Sequence, residues 1–515
     1  MVGVATPLQQ DRAESGLQSR PCYGVVTASG TLARRPSRAN ARAPSRLHAL
    51  EPALTHDDLK QALARVVGDG HVLVDPELRA PYERDCTGRY GEESLVVVRP
   101  ADDAQVAKVV RLCIDHDVVL VPQGGNTGLV GAGVPRGGEV LVSTRRLNRV
   151  GRVDGMTGHL LVGAGATLAT VQTTAMEAGW EMPLDLGARE AATVGGLVAT
   201  DAGGAMALAH GTMRERVAGL AVVLPDGRIV ERLGGLLKDN AGYAWQSLII
   251  GSEGTLGIIT SVLVRLIPRR AARVAALFAV RNMDDAVQLL MALRRSAPSL
   301  EAADFFFDDG VILVERVLDG VRLPVQRRSP VYLVVECAGA NDPTPELAEA
   351  VEAAEHLIVD QAAAGDTAGR HAIWRLREAL PEALVRAGVP MKVDIAVPLT
   401  HVARFTREVV AVAASIAPDA ETVLWGHLGD GNVHVNVLGA GHASPAVEEE
   451  VLRLATGLGG TISAEHGVGV SKARHLALVR SPEELELLRT FKAAVDPLGM
   501  MNPGAVLPRA IASSG

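Results

Sequence analysis

At 515 residues the chain is too long for one ordinary core and implies roughly two to four domains. Hydrophobic residues at 48% against 21% charged are the balance of a globular protein and exclude a disordered or fibrous one. A formal net charge of −8 with only 3% aromatic residues argues against a nucleic-acid surface, which needs basic stripes and stacking platforms, so small molecules are the expected partners.

Residues 1–50 carry Arg12, Arg20, Arg34, Arg35, Arg38, Arg42 and Arg46 against Asp11 and Glu14. They read as a disordered extension or an early start, with a transit peptide as the competing reading. The Arg34-Arg35 pair is followed by Pro-Ser-Arg and not by an apolar core, which disfavours a twin-arginine export signal. Cys22, Cys86, Cys113 and Cys337 stand singly, without zinc-ribbon or disulfide spacing, which fits a reducing, cytoplasmic compartment. No apolar run reaches the roughly eighteen residues of a membrane span, since Ala191–Ala209 is broken by glycines and Asp201.

Leu95–Val98, Asp102–Asp115 and Val118–Val121 read as strand, helix and strand, a βαβ unit. The following loop, Pro122 to Gly133, is glycine-rich and invites a Rossmann reading. That fingerprint must open a helix, whereas Val134–Gly138 and Val140–Ser143 read as turn and strand. Dense glycines still let backbone N–H groups close on a phosphate, although alone the loop is equally well a mobile surface segment. Thr167 to Ala178 reads as a helix with a Thr cap and Gly179 past its end. Two more glycine-rich spans, Ala192–Gly204 and Ile250–Ile259, are expected among short strands and turns. Further on, Asp284–Arg295 and Pro345–Ala364 read as helical, and Val331–Glu336 and Ile395–Val397 as strands.

In Trp425–Val437, Asp430-Gly431 is a two-residue hairpin signal that would set His427 directly opposite His434, with Cβ atoms roughly 4.5–5.5 Å apart. Asn436 would share their face. Ser463–Gly469 places Glu465 beside His466, and Gly467 and Gly469 permit the irregular backbone needed for both to serve one site. Two His and one Glu is the layout of an open catalytic zinc site, while hydrogen-bonded sheet histidines and a surface Glu-His pair remain the plain alternative.

The order of segments from Leu95 to Pro268 resembles the FAD-binding domain of the vanillyl-alcohol-oxidase and para-cresol-methylhydroxylase (PCMH) type, and the resemblance resumes from Ile373 to Pro503. It implies an α+β fold: a PCMH-type FAD-binding domain over 51–268, an α+β cap over 269–460, and a segment 461–515 returning to the flavin. The implied flavin contacts are Pro122, Gly124, Gly125, Asn126, Thr127, Gly128, Pro183, Leu184, Gly187, Thr193, Gly195, Gly196, Gly203, Glu253, Gly254, Gly257, Ile258 and Asn502. Leu197 and Asp201 stand where relatives usually carry Asn. Asn126 stands where covalently flavinylated relatives have His, which implies non-covalent FAD. Within this superfamily the chain is similar to the D-2-hydroxyglutarate and D-lactate dehydrogenases. That similarity implies His427, His434 and Glu465 as ligands of a divalent metal, with zinc expected, His466 as base, and Arg377, Lys392 and Asn436 at the substrate. The guanidinium fork of Arg377 suits a carboxylate, and Arg375 and Arg386 read as a solvated helix face.

The implied reaction is oxidation of a small D-2-hydroxy acid, with hydride passing from C2 to flavin N5 and an electron-transfer flavoprotein, quinone or cytochrome as acceptor. Pro381 replaces the Ser or Thr common in relatives specific for 2-hydroxyglutarate, which keeps D-lactate open as substrate. The competing readings are a flavin-dependent transferase resembling alkylglycerone-phosphate synthase, which wants a hydrophobic tunnel and a phosphate site, and a flavin-binding protein without turnover.

Overall fold

The computed structural model describes residues 55–509; the expected extension at 1–50, Cys22 and residues 510–515 lie outside the described residues. The first sheet contains β1 (Val72–Leu73), β2 (Val96–Val98), β3 (Leu120–Gln123) and β4 (Val140–Ser143) in the order β1-β2-β4-β3, with β2 and β3 both parallel to β4. The helix Asp103–Asp115 joins β2 to β3. Its start is fixed by the Asp102 side chain, which accepts the Gln105 N–H at 2.8 Å. Its buried stripe of Val106, Val109, Val110 and Cys113 packs on Val96, Val98, Leu120 and Val140. Met500 and Met501 complete this core, where Met501 bridges Leu120.

The second sheet is antiparallel, with β5 (His159–Gly163), β7 (Val217–Val223), β8 (Ile229–Arg232) and β9 (Ile258–Arg265) in the order β5-β9-β7-β8. A ribbon of β6 (Trp180–Glu181) and β10 (Ile267–Pro268) lies at its exit. The helix Leu168–Glu177 has Thr167 at its N-cap and Gly179 at φ +78° beyond its end, as the spacing predicts. The span 192–204 differs from expectation, because Val194–Thr200 forms a short helix. Small residues allow it to press close: a Cβ on Gly195 would collide with Ala164. Asp201 ends the helix at φ +53° and its Oδ1 accepts the Thr212 hydroxyl and the Arg214 N–H, so this residue has a backbone role of its own.

The third sheet has seven antiparallel strands: β11 (Ala272–Val280), β12 (Leu300–Phe307), β13 (Val331–Gly339), β14 (Ile358–Ala364), β15 (Met391–Ala396), β16 (Glu421–His427) and β17 (Asn432–Leu438). Their order is β14-β11-β13-β12-β16-β17-β15. The helix expected over Pro345–Ala364 ends at Glu352, and Ile358–Ala364 is instead the edge strand β14, paired to β11. Its alanines favour a helix, but ladder pairing overrides so weak a preference.

Period-two alternation sorts this sheet into two faces. Val274, Phe278, Leu333, Val335, Phe305, Val393, Leu424, Val433 and Val435 point to one core, covered by the helices Met283–Ser296, Val402–Ile416 and Ser444–Gly457. On the other face Leu277, Phe306, Tyr332, Val334 and Trp425 meet the helices Asp308–Val317 and Thr367–Ala387. By the same alternation Asp304, Lys392, Asp394, His427, His434 and Asn436 lie on this second face, so the polar site is cut from one half of one sheet face.

Candidate active site

A cleft of about 1690 Å³ runs between the glycine-rich loops and the polar face of the third sheet. Ligand pockets usually occupy roughly 300–1,000 Å³, so this one has room for a dinucleotide-sized cofactor together with a small substrate. From the loop side it is lined by Pro122, Gly124, Gly125, Asn126, Thr127, Gly128, Gly187, Thr193, Gly195, Gly196, Gly203, Glu253, Gly254, Gly257 and Ile258. A side chain on Gly125 would run into the Ala191 carbonyl, and Asn126 takes φ +56° while its Nδ2 donates to Arg84 O at 2.7 Å. Among the described residues, the amides of Gly125 to Gly128 donate no hydrogen bond to the protein, and the buried Thr193 hydroxyl has no partner. Unpaired backbone N–H groups in a turn form an anion-binding concavity, so these loops fit the pyrophosphate of FAD.

Three residues expected at the flavin do not line the cleft. Pro183 is buried beside it, and Leu184 belongs to the apolar core of the second sheet. Asn502 is fully buried and its side chain is spent on protein: Oδ1 accepts from Arg136 at 2.6 Å, while Nδ2 donates to Ala132 O and Glu253 O. Asn502 therefore fastens the loops from behind.

From the sheet side the cleft is lined by Arg377, Lys392, His427, His434, Asn436, Glu465 and His466. The hairpin carrying the two histidines differs from the expected register. Trp425 stands opposite His434, the loop is Leu428–Gly431, and the Asp430 side chain accepts the Asn432 N–H at 3.0 Å. His427 has left β17 and pairs with Asp304 on β12. It remains two residues beyond Trp425 on the same face, so the rings of His427 and His434 still converge, with centroids 5.4 Å apart. Asn436 shares the face and donates to Val423 O and His434 O, both at 3.2 Å.

Glu465 and His466 arrive on residues 462–472, which contain neither helix nor strand, with Gly467 at φ +85° and Gly469 at φ +52°. Glu465 Oε1 lies 3.8 Å from His427 Nε2, 3.6 Å from His434 Nε2 and 3.5 Å from His466 Nε2. These separations are long for hydrogen bonds. They approach the roughly 3.3 Å expected between two atoms that bind one tetrahedral zinc at about 2.0–2.1 Å each. Behind each ring stands an aspartate: Asp304 Oδ1 is 2.7 Å from His427 Nδ1, and the Asp394 oxygens are 3.5 Å from His434 Nδ1 and 3.8 Å from His466 Nδ1. Carboxylates in this place fix the tautomer and aim of metal-binding imidazoles.

Donor atoms of Asp394, His434, Glu465 and His466 all lie within 4.8 Å of one another, a cluster that leaves out His427. Asp394 is nonetheless a poor ligand, because its oxygens already accept from Asn432 Nδ2 and from the amides of Ala464, Glu465 and His466. Burial alone would raise the Asp394 carboxyl, but His466, His434 and Lys472 hold it well below the usual carboxylate range. Burial likewise opposes charge on His427, yet Asp304 lifts it to about 10. By distance from Glu465 the three histidines are alike. His466 differs in exposure, 25% against 11% and 12% for His427 and His434.

Arg377 falls on the buried stripe of its helix with Ile373, Leu376, Leu380 and Leu384 and reaches the cleft. Arg386 faces outward as expected, whereas Arg375, expected on the same solvated face, is exposed but also lines the cleft. Its Nε sits 3.0 Å from Asp304 Oδ2, out of line for a hydrogen bond. Among the described residues the Lys392 ammonium has no ion-pair or hydrogen-bond partner, and burial lowers its pKa. A half-buried ammonium without a counter-charge suits an anionic ligand. Asp304 and Asp394 are absent from the sequence-derived site, although an acid inside an apolar strand, as Glu301 and Asp304 in Leu300–Phe307, is a signal, because a buried charge must be paired.

Residues 94–232 match the family described as FAD binding domain, and residues 269–506 match FAD linked oxidases, C-terminal domain. The chain is 36% identical to the mitochondrial D-2-hydroxyglutarate dehydrogenase of Bos taurus, over 88% of this chain and 84% of that protein. It is 37% identical to a D-2-hydroxyglutarate dehydrogenase of Xanthomonas citri pv. viticola, over 82% and 91%. Among solved structures, p-cresol methylhydroxylase with substrate bound superposes with a TM-score of 0.70 at 16% identity, covering 88% of this chain and 97% of that one. Alkyldihydroxyacetonephosphate synthase superposes at 0.67 and 17%, covering 88% and 86%. At such identities the structural likeness carries the fold, here the PCMH-type flavoprotein fold, and nothing about substrate.

Proposed function

Because the chain belongs to the FAD-linked oxidase and D-2-hydroxyacid dehydrogenase family, we propose that this FAD-dependent oxidoreductase oxidises a small D-2-hydroxy acid to the 2-oxo acid in the cleft between the glycine-rich loops and the cap at 269–460. The observation that carries the chemistry is the convergence of three imidazole Nε2 atoms on one Glu465 oxygen, each ring backed by an aspartate. On this reading Gly124–Gly128, Thr193 and Gly196 hold the FAD non-covalently, and His427, His434 and Glu465 hold a divalent metal with zinc-like preferences. When bound, FAD supplies the hydride acceptor at N5 and the metal a Lewis acid for the substrate's hydroxyl and carboxylate oxygens. His466 takes the hydroxyl proton at Nε2 while Asp394 backs its Nδ1. Arg377 and Lys392 grip carboxylate, with Asp304 orienting both Arg377 and His427. Free Cys86, Cys113 and Cys337 support a reducing, cytoplasmic setting, and no helix among the described residues is long and apolar enough to cross a membrane.

A transferase would want an apolar tunnel, whereas the sheet side of this cleft carries Asp304, Arg377, Lys392 and the histidines. The test is anaerobic: D-2-hydroxyglutarate and D-lactate are added to the yellow protein and the flavin absorbance is followed. Bleaching by a D- but not an L-hydroxy acid is expected, and its loss with a chelator, FAD remaining bound, would place the metal in the mechanism. Protein whose flavin no hydroxy acid reduces is not this dehydrogenase.

A further inference from the structure

With no helix or strand to shape it, the segment bearing Glu465 and His466 takes its form from the groups that bond its amides. Asp394, from β15 of the third sheet, accepts the N–H groups of Ala464, Glu465 and His466 at 3.1, 2.9 and 3.0 Å. The next two donors point the other way. Val468 N–H donates to Glu253 Oε1 at 2.7 Å and Gly469 N–H to Glu253 Oε2 at 2.9 Å. Glu253 belongs to the glycine-rich loop on the flavin side of the cleft, so the segment is strung between two buried carboxylates from opposite walls. Gly467 is the pivot: a side chain there would press on the Glu253 carboxylate.

Glu253 is itself held in an unfavourable conformation. Its φ is +50°, in the left-handed region that a side chain disfavours. Such strain persists only where the surroundings over-determine it. Here its N–H donates to Ala199 O at 2.8 Å and its carbonyl accepts Asn502 Nδ2 at 2.7 Å, which locks the backbone with the carboxylate aimed at residues 468 and 469. Each Glu253 oxygen thus accepts one amide of the segment.

We infer that Glu253 is a positioning residue for the oxidation: through the amides of Val468 and Gly469 it sets where Glu465 and His466 stand, tying the flavin-facing loop to the proton-accepting one. The inference rests on His466 as base, the role proposed above. Glu253→Gln keeps the size of the side chain but offers one acceptor and turns an NH2 group toward the other amide. In FAD-loaded protein, amide hydrogen exchange across residues 463–470 is expected to quicken roughly tenfold or more, with FAD content unchanged. The rate of anaerobic flavin reduction per bound FAD at saturating D-2-hydroxy acid should fall by about 10- to 100-fold, the scale of losing an outer support of a metal site, while KM moves little. Should Glu253→Gln fail to fold, Glu253→Asp, which keeps the charge but not the reach, is read by the same two measurements. Unchanged exchange in 463–470, or a rate per bound FAD equal to wild type, overturns the inference. Wild-type flavin that no hydroxy acid reduces would instead overturn the function proposed above, and the positioning role with it.

Discussion

His466 and Pro381 are the residues whose neighbours make the sharpest demands. His466 is the most exposed of the three histidines and stands on the irregular segment, as a base that must meet substrate would. Replacing it with Ala should lower flavin reduction by roughly 10² to 10⁴, the usual worth of general-base catalysis, without releasing FAD. Near-normal reduction in His466→Ala would assign the proton to another group. Pro381 sits inside the helix Thr367–Ala387 and lines the cleft one turn beyond Arg377. Lacking an N–H, it leaves the Arg377 carbonyl without its helical donor, and proline within a helix costs up to about 3 kcal/mol. Pro381→Thr should therefore raise the melting temperature and, by adding a hydroxyl donor at the cleft, improve 2-hydroxyglutarate relative to D-lactate. A lost hydrogen bond to a charged group is worth roughly 1.5–3 kcal/mol, one to two orders of magnitude in that ratio. A variant that gains stability while the ratio stays fixed would mean that position 381 does not touch substrate.

At the scale of elements, the helices at 103–115, 168–177 and 283–296 were legible because a cap and an apolar stripe of period 3.6 coincide in each. What escaped was set by tertiary partners. The strand β14 is written in alanines and becomes a strand only because β11 offers it a ladder. The two-residue turn at Asp430-Gly431 lost to a longer loop because His427 is drawn into pairing with β12, which local sequence cannot reveal. The glycine-rich loops were visible in the sequence, but spacing alone fits a mobile surface segment equally well and only the family resemblance tied them to a flavin. The convergence of His427, His434, Glu465 and His466 survived the wrong register because side-chain parity did. Asp304 stayed hidden because its partners, His427 and Arg377, come from distant elements. Its carboxylate touches both a proposed metal ligand and a proposed substrate cation, so Asp304→Asn should weaken metal binding roughly 10- to 100-fold and raise KM together. Competition with a chromophoric chelator measures the first and steady-state kinetics the second; movement of only one would mean that Asp304 serves one partner alone.

At the scale of the molecule, a large cleft between the flavin-side sheets and the third sheet must not open under its own solvation, and an ion network spans it. Arg273 on β11 binds Glu181 on β6 through Nη2, and through Nη1 it lies 2.8 Å from Glu301 and 2.9 Å from Glu336. Glu301 is 1% exposed and also accepts from Arg270, with His210 Nε2 at 3.0 Å. Burial disfavours charge on Arg273, but Glu301, Glu181 and Glu336 outweigh it and keep the guanidinium charged. Such a network contributes little against an apolar equivalent, yet removing one partner strands the others, at roughly 3–5 kcal/mol. Arg273→Ala should therefore melt several degrees below wild type and release FAD earlier in the transition, since Glu181 loses its tie to the third sheet. Arg407→Ala is the matched control, because both partners of its pairing with Asp284 are exposed and surface pairs contribute roughly 0–1 kcal/mol. Calorimetry and flavin fluorescence on the two variants decide the matter: equal melting temperatures would show that apolar packing, and not the Arg273 network, holds the two walls of the cleft together.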